Sequence, residues 1–180
     1  MISTPRAARP ASSRKMWGGL LMLALLGACS HTAPSAVAQE PVADTACVLD
    51  GMLLQDFPGP KGQIVYAEGK PDFFCDLMEL FTTLRTPEQK RAVAGAYVQD
   101  MGKTDWAHPK GNWIPAKTAL FVIGSKLHGS MGPTLGAFSS AEDANKFIQQ
   151  NGGKLLRFEQ VTPEMADLSG GVMHDSGMSH

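Results

Sequence analysis

Two short stretches carry side chains able to grip a soft metal ion. One is Cys47-Val-Leu-Asp50-Gly51-Met52; the other is Gly124-Ser-Lys-Leu-His128-Gly129-Ser130-Met131-Gly132-Pro133. In each, a Met stands among Gly residues, which let the backbone turn and expose the thioether. Thiolate, thioether and imidazole together select Cu(I), whereas carboxylates and carbonyls suit harder ions. Met also fills gaps in cores, but Met52, Met131, Met173 and Met178 lie outside any obvious apolar stripe. Met173-His174, near the C-terminus, reads equally as a loose copper-holding pair or as part of a tail with no role. No Gly-x-Ser-x-Gly elbow, His-Glu-x-x-His, Cys-x-x-Cys or phosphate-cradling glycine loop is present.

Cys47 and Cys75 admit a rival reading. Two cysteines in an exported protein usually pair, and a bridge closing their 28-residue loop would stabilise by about 3 kcal/mol. Taken alone, the residues favour that disulfide, and with it a metal-free scaffold lipoprotein. An enzyme that cleaves carbon–metal bonds would instead need Cys47, Cys75 and an acid, Asp50 or Asp76, to converge.

The compartment is set by the first 28 residues. Arg6, Arg9, Arg14 and Lys15 precede the apolar run Trp17–Leu26 with no acid among them, which makes a secretory signal too short to span a bilayer. Its end, Leu26-Gly27-Ala28-Cys29, resembles a bacterial lipobox, in which Cys29 takes lipid; acyl chains contribute about 0.8 kcal/mol per buried methylene. Ordinary cleavage near Ala36-Val37-Ala38 is the alternative and would discard Cys29. Of 16 cations and 17 acids, removing the four leader cations leaves 12 against 17, a net of −5. Such a surface argues against nucleic acid.

These ligands must be held by a domain of ordinary size. Residues 29–45 read as a lipidated flexible tether, small, polar and Pro-containing, and 169–180 as a flexible Met/His tail. Between them the fold class is α+β, as two similar strand-strand-helix-strand (ββαβ) halves, 46–105 and, with the linker before it, 106–168. In the first, strands at 63–67 and 72–75 precede a helix from Leu77 to Leu84, N-capped by Asp76, and a strand at 91–99. In the second, strands at 118–124 and 135–138 precede a helix at 141–150, capped by Ser139 or Ser140 with Asp143 completing a capping box. A strand at 154–159 closes it. The duplication rests on pattern, since identity between the halves is slight.

Several longer motifs carry a family resemblance. Cys47-x-Leu-Asp-Gly-Met52 running into Asp56-Phe-Pro-Gly-Pro-Lys-Gly-Gln-Ile64 resembles NosL, the copper-binding accessory lipoproteins of nitrous oxide reductase assembly. So do Phe74-Cys75-Asp76, Val98-Gln-Asp-Met-Gly-Lys-Thr-Asp-Trp106, Asn112-Trp-Ile-x-Ala-Lys117, Val122-Ile-Gly-Ser-x-x-x-Gly-Ser-Met-Gly-Pro133 and Asp167-Leu-Ser-Gly-Gly171. The resemblance implies a lipid-anchored periplasmic Cu(I) chaperone, not an enzyme. Its partners would be nitrous oxide reductase and the membrane-bound maturation complex. It also implies Cys47, Met52 and Met131 as copper ligands, with His128 and Cys75 as weaker additions. Some family members carry a second Cys where Asp50 stands, which leaves the coordination number of this chain open. Ser30 after Cys29 resembles lipoproteins sorted to the outer membrane.

Overall fold

The computed structural model describes residues 37–85 and 91–166. The tether was expected to be free as far as residue 45, yet its end is tied down. Gln39 N–H donates to Gln63 Oε1 at 2.8 Å, and Gln63 Nε2 returns a bond to Gln39 O at 2.8 Å. Glu40 then accepts from Trp113 Nε1 at 2.7 Å and from Gly111 N at 3.1 Å. Cys29 and the tail residues Met173 and His174 lie outside the described residues.

The first sheet is built from β1 (Gly62–Tyr66), β2 (Asp72–Phe74), β3 (Val93–Gln99) and β4 (Trp113–Pro115), all antiparallel in the order β2-β1-β3-β4. Helix α1 (Leu77–Arg85) follows β2. The second sheet places β5 (Leu120–Ile123) between β8 (Gly136–Phe138) and β9 (Lys154–Arg157), with α2 (Ala141–Asn151) before β9. A separate two-stranded hairpin, β6 (His128–Gly129) and β7 (Gly132–Pro133), interrupts that half.

The α+β class holds. The expected pair of like ββαβ halves is not met as a plain repeat, because β4 extends one sheet and the β6–β7 hairpin is inserted in the other. The halves also share a core. Ile64, Phe74, Leu80, Phe81 and Val98 share one apolar cluster with Phe121, Leu135 and Leu156. At its centre Phe81 of α1 meets Phe121 of β5 edge-on, centroids 5.0 Å apart, a favoured aromatic geometry.

Both helices start where their side chains can satisfy free backbone amides. Asp76 Oδ1 accepts from Met78 N at 2.8 Å. Ser140 Oγ accepts from Asp143 N at 3.1 Å and donates to Asp143 Oδ2 at 2.7 Å. Among the described residues no helix is long and apolar enough to cross a membrane.

One interaction fixes the start of β1. Lys61 is 3% exposed, and its ammonium donates to Phe57 O at 2.8 Å, Gly59 O at 3.0 Å, Pro58 O at 3.1 Å and Cys75 O at 3.3 Å. Burial lowers its pKa to about 8, while the nearby charges of Cys75, Asp76 and Glu79 oppose the drop. Lys61→Met should strand those buried carbonyls and lower the unfolding free energy by about 2–3 kcal/mol. Urea denaturation would show it as a reduced midpoint at unchanged slope; an unchanged midpoint would mean that the carbonyls find other donors.

Candidate metal centre

Cys47 opens a tight turn. Its N–H donates to Met52 O at 2.8 Å and its carbonyl accepts from Gly51 N at 3.0 Å. Asp50 Oδ1 accepts from Met52 N at 2.9 Å, and Gly51 takes the left-handed φ of +77° that closes the loop. An antiparallel bridge between Ala46 and Leu53 and a bond from Val48 N to Phe73 O (2.9 Å) lay this turn along the edge of β2. Cys75, at the β2–α1 junction, and Glu79, on the first turn of α1, face it.

The four side chains converge. Ligand atoms of Cys47, Asp50, Cys75 and Glu79 all lie within 4.8 Å of one another. Cys47 Sγ donates to Glu79 Oε2 at 3.2 Å, and Cys75 Sγ donates to the same oxygen at 3.4 Å. Cys75 Sγ also reaches Asp50 Oδ2 at 3.9 Å and shares a 3.0 Å contact with Ser130 Oγ. Both cysteines are free thiols, and they pack with Leu54 in a small apolar cluster, against which Met52 and Phe73 rest. The disulfide that the bare sequence favours is therefore absent from this arrangement.

Burial and crowding reshape the titrations. The hydrogen bond from Cys75 stabilises a Cys47 thiolate and lowers its pKa to about 6. The same bond, with burial, drives Cys75 strongly upward, so the pair gives up its first proton easily and its second with difficulty. Burial raises Glu79 to about 8, and the hydrogen bond and charge of Cys47 push in the same direction. Of the two thiols Cys47 is thus the first to ionise, while Cys75 and Glu79 hold their protons more tightly than usual. Thiolates with a carboxyl group can bind a soft or borderline ion.

The expected ligands fare differently. Cys47 and Cys75 meet, and Met52 packs beside them. Met131 stands at the tip of the β6–β7 hairpin, 52% exposed and one residue beyond the Ser130 that touches Cys75. His128 is not in the cluster; its side chain is exposed, and its carbonyl accepts from Trp106 Nε1 at 2.9 Å. The acid condition for carbon–metal cleavage is met by Asp50 but not by Asp76, whose Oδ1 is engaged by Met78 N and Thr134 Oγ1. Glu79 and Ser130 were missed by sequence reasoning. The signal for Glu79 was its position four residues after Cys75, one helical turn on the same face.

Comparisons with known proteins agree on one family. The NosL family model matches residues 38–166. The copper-binding lipoprotein NosL of Stutzerimonas stutzeri is 37% identical over 164 residues, 87% of this chain and 85% of its own. That of Achromobacter cycloclastes is 39% identical over 150 residues, covering 79% and 77%. The crystal structure of the copper chaperone NosL from Shewanella denitrificans superposes with a TM-score of 0.68 at 42% identity, over 71% of this chain and 97% of that one. With its thiol turn, its Phe-Cys-Asp junction and its Met-tipped hairpin all inside the matched span, this chain belongs to the NosL family.

Proposed function

We propose that the protein is a Cu(I) carrier, anchored by lipid at Cys29 and facing the periplasm, with the outer membrane as its home. It supplies copper for nitrous oxide reductase through that enzyme's membrane-bound maturation complex. The observation that carries this reading is the meeting of two free, buried thiols beside Met52 and below the Met131 hairpin. The names of the relatives, copper-binding lipoprotein and copper chaperone, support it.

Transfer would proceed by ligand exchange. The easily ionised Cys47 neutralises Cu(I), and neutral thioethers complete a low coordination number that an acceptor's sulfur can attack. Asp50 is exposed and Met131 half exposed, so an incoming ligand has a way in. No bond beyond those to copper is made or broken, which marks a carrier rather than a catalyst. Carbon–metal cleavage would use the same thiols with an acid; hydrocarbon release from an organomercurial would favour it, and none is expected.

Anaerobic Cu(I) titration of the full-length protein in detergent, against a chromogenic chelator, should reveal one tight equivalent. Cys47→Ser should abolish it, and Met131→Leu should weaken it at least tenfold without unfolding the protein. Binding indifferent to Cys47, together with no titratable thiol in protein purified without reductant, would favour the disulfide-bonded scaffold.

Delivery is tested in cells. Nitrous oxide reductase from a strain lacking this chain should be copper-poor, with copper restored by wild type but not by Cys47→Ser. A fully loaded reductase in the deletion strain would remove the delivery role.

Glu79 also sets a pH dependence in the apo protein. Its pKa rises from 4.5 to about 8 on folding, so between those values the folded state holds a proton that the unfolded chain has lost. This proton makes stability fall as pH rises, unopposed up to about 6, above which the easier ionisation of Cys47 acts in the other direction. Glu79→Gln should flatten this slope in denaturation curves, and an identical slope would assign it to another group.

A further inference from the structure

The proposed copper reading gives Met131 a role but does not say what aims it. Met131 and Ser130 form the two-residue turn between β6 and β7, paired at Gly129 and Gly132. Nothing in a two-stranded hairpin this short holds it in place by itself. Its attachments must come from outside.

One attachment is unlike the rest. Asp76 is 1% exposed, and its Oδ1 accepts from Thr134 Oγ1 at 2.6 Å while capping α1 through Met78 N at 2.8 Å. Thr134, itself 3% exposed, follows β7 directly. Asp76 Oδ2 lies against Gly129, where an added Cβ would run into it, and the backbone of Met131 also bonds to this carboxyl. The carboxylate thus touches the hairpin at its base on both sides: by a hydrogen bond beyond β7 and by close packing at the end of β6. It follows Cys75 in sequence, so the residue gripping the hairpin is joined directly to the thiol that Ser130 contacts at 3.0 Å. Trp106, through its bond to His128 O, steadies the start of β6.

We infer that Asp76, through Thr134, is the positioning residue of the hairpin, holding the Ser130–Met131 turn against Cys75 so that Met131 is available to the metal. Asp76 itself is not a ligand. The inference rests on Met131 as a copper ligand, and its test separates the two ideas.

The experiment uses full-length protein in detergent, labelled at the methionine methyl groups, with Cu(I) added anaerobically. In wild type the Met131 methyl resonance, assigned by its loss in Met131→Leu, should move on Cu(I) addition. Thr134→Val should leave that resonance near its apo position and weaken Cu(I) binding about tenfold. The double variant Thr134→Val/Met131→Leu should bind no more weakly than Met131→Leu alone, since both remove the same ligand. Thr134→Ser, which keeps the hydroxyl, should restore the shift. Should Thr134→Val fail to fold, Gly129→Ala, which pushes the hairpin off Asp76, is expected to give the same loss of shift.

If Met131→Leu leaves affinity unchanged, the ligand reading of Met131 fails and the inference falls with it. If Met131→Leu weakens binding while the methyl still moves in Thr134→Val and in Gly129→Ala, the ligand stands and Asp76 does not position it. Fully additive losses in the double variant would likewise overturn the inference.

Discussion

The ammonium of Lys61 is the point from which the rest of the site is hung. A lysine buried to 3% exposure is tolerated only where its donors are met, and here four carbonyls surround it, three from Phe57-Pro58-Gly59 and one from Cys75. Its own amide donates to Gln99 Oε1 at 3.0 Å, which joins the loop to the end of β3. The backbone of Cys75 is therefore fixed before its side chain does any chemistry. Removing the cation would free the Pro-Gly loop, the start of β1 and the carbonyl of a candidate ligand together. The same positive charge, close to Cys75, Asp76 and Glu79, lowers the penalty of gathering acids and thiols under the surface.

Around that anchor, packing decides what can move. The two halves share one apolar cluster, with Phe81 against Phe121 across the divide. Swinging one half against the other would open that core, so a hinge between halves is a poor way to release a metal. The elements free to yield are small: the Cys47–Met52 turn, with Val48 and Leu49 about half exposed, and the tip of the β6–β7 hairpin. Exchange at the rim of a rigid centre fits this distribution better than domain motion does.

Much of the scaffold was legible in the sequence. The run Gln63–Ala67 between Pro/Gly clusters gave β1 to within one residue, and Ser140 with Asp143 marked the start of α2. These signals are local: turn residues, apolar period and caps. What escaped depends on long-range partners. β4 is three residues ending in Pro115, too short for any period, and it exists because β3 offers it a paired edge. The hairpin strands are two residues each. Lys61, in a Pro-Gly loop, reads as a solvated charge, and Glu79 as an exposed helical acid. Only the folded chain shows that Lys61 has found carbonyls and that Glu79 has found two thiols. The end of the tether likewise reads as free until Gln63, a buried polar residue on β1, supplies Gln39 with both halves of a reciprocal amide pair.

Charge explains why the missed residues matter to the chemistry that the sequence did suggest. A site this buried stays favourable only near neutrality. With Cu(I) as cargo, one thiolate already balances the ion, and Cys47 is the thiol that ionises readily. A second thiolate or an ionised Glu79 would add negative charge to the same small volume, near the ammonium of Lys61. The upward shifts of Cys75 and Glu79 are the physical form of that constraint. They hold back the charge of Cys75 and Glu79, beside an Asp50 that belongs to the same group. Neutral thioethers at the rim add donors without adding charge. In the proposed carrier, a Met on the hairpin would therefore serve as a third ligand at less cost in charge than another Cys.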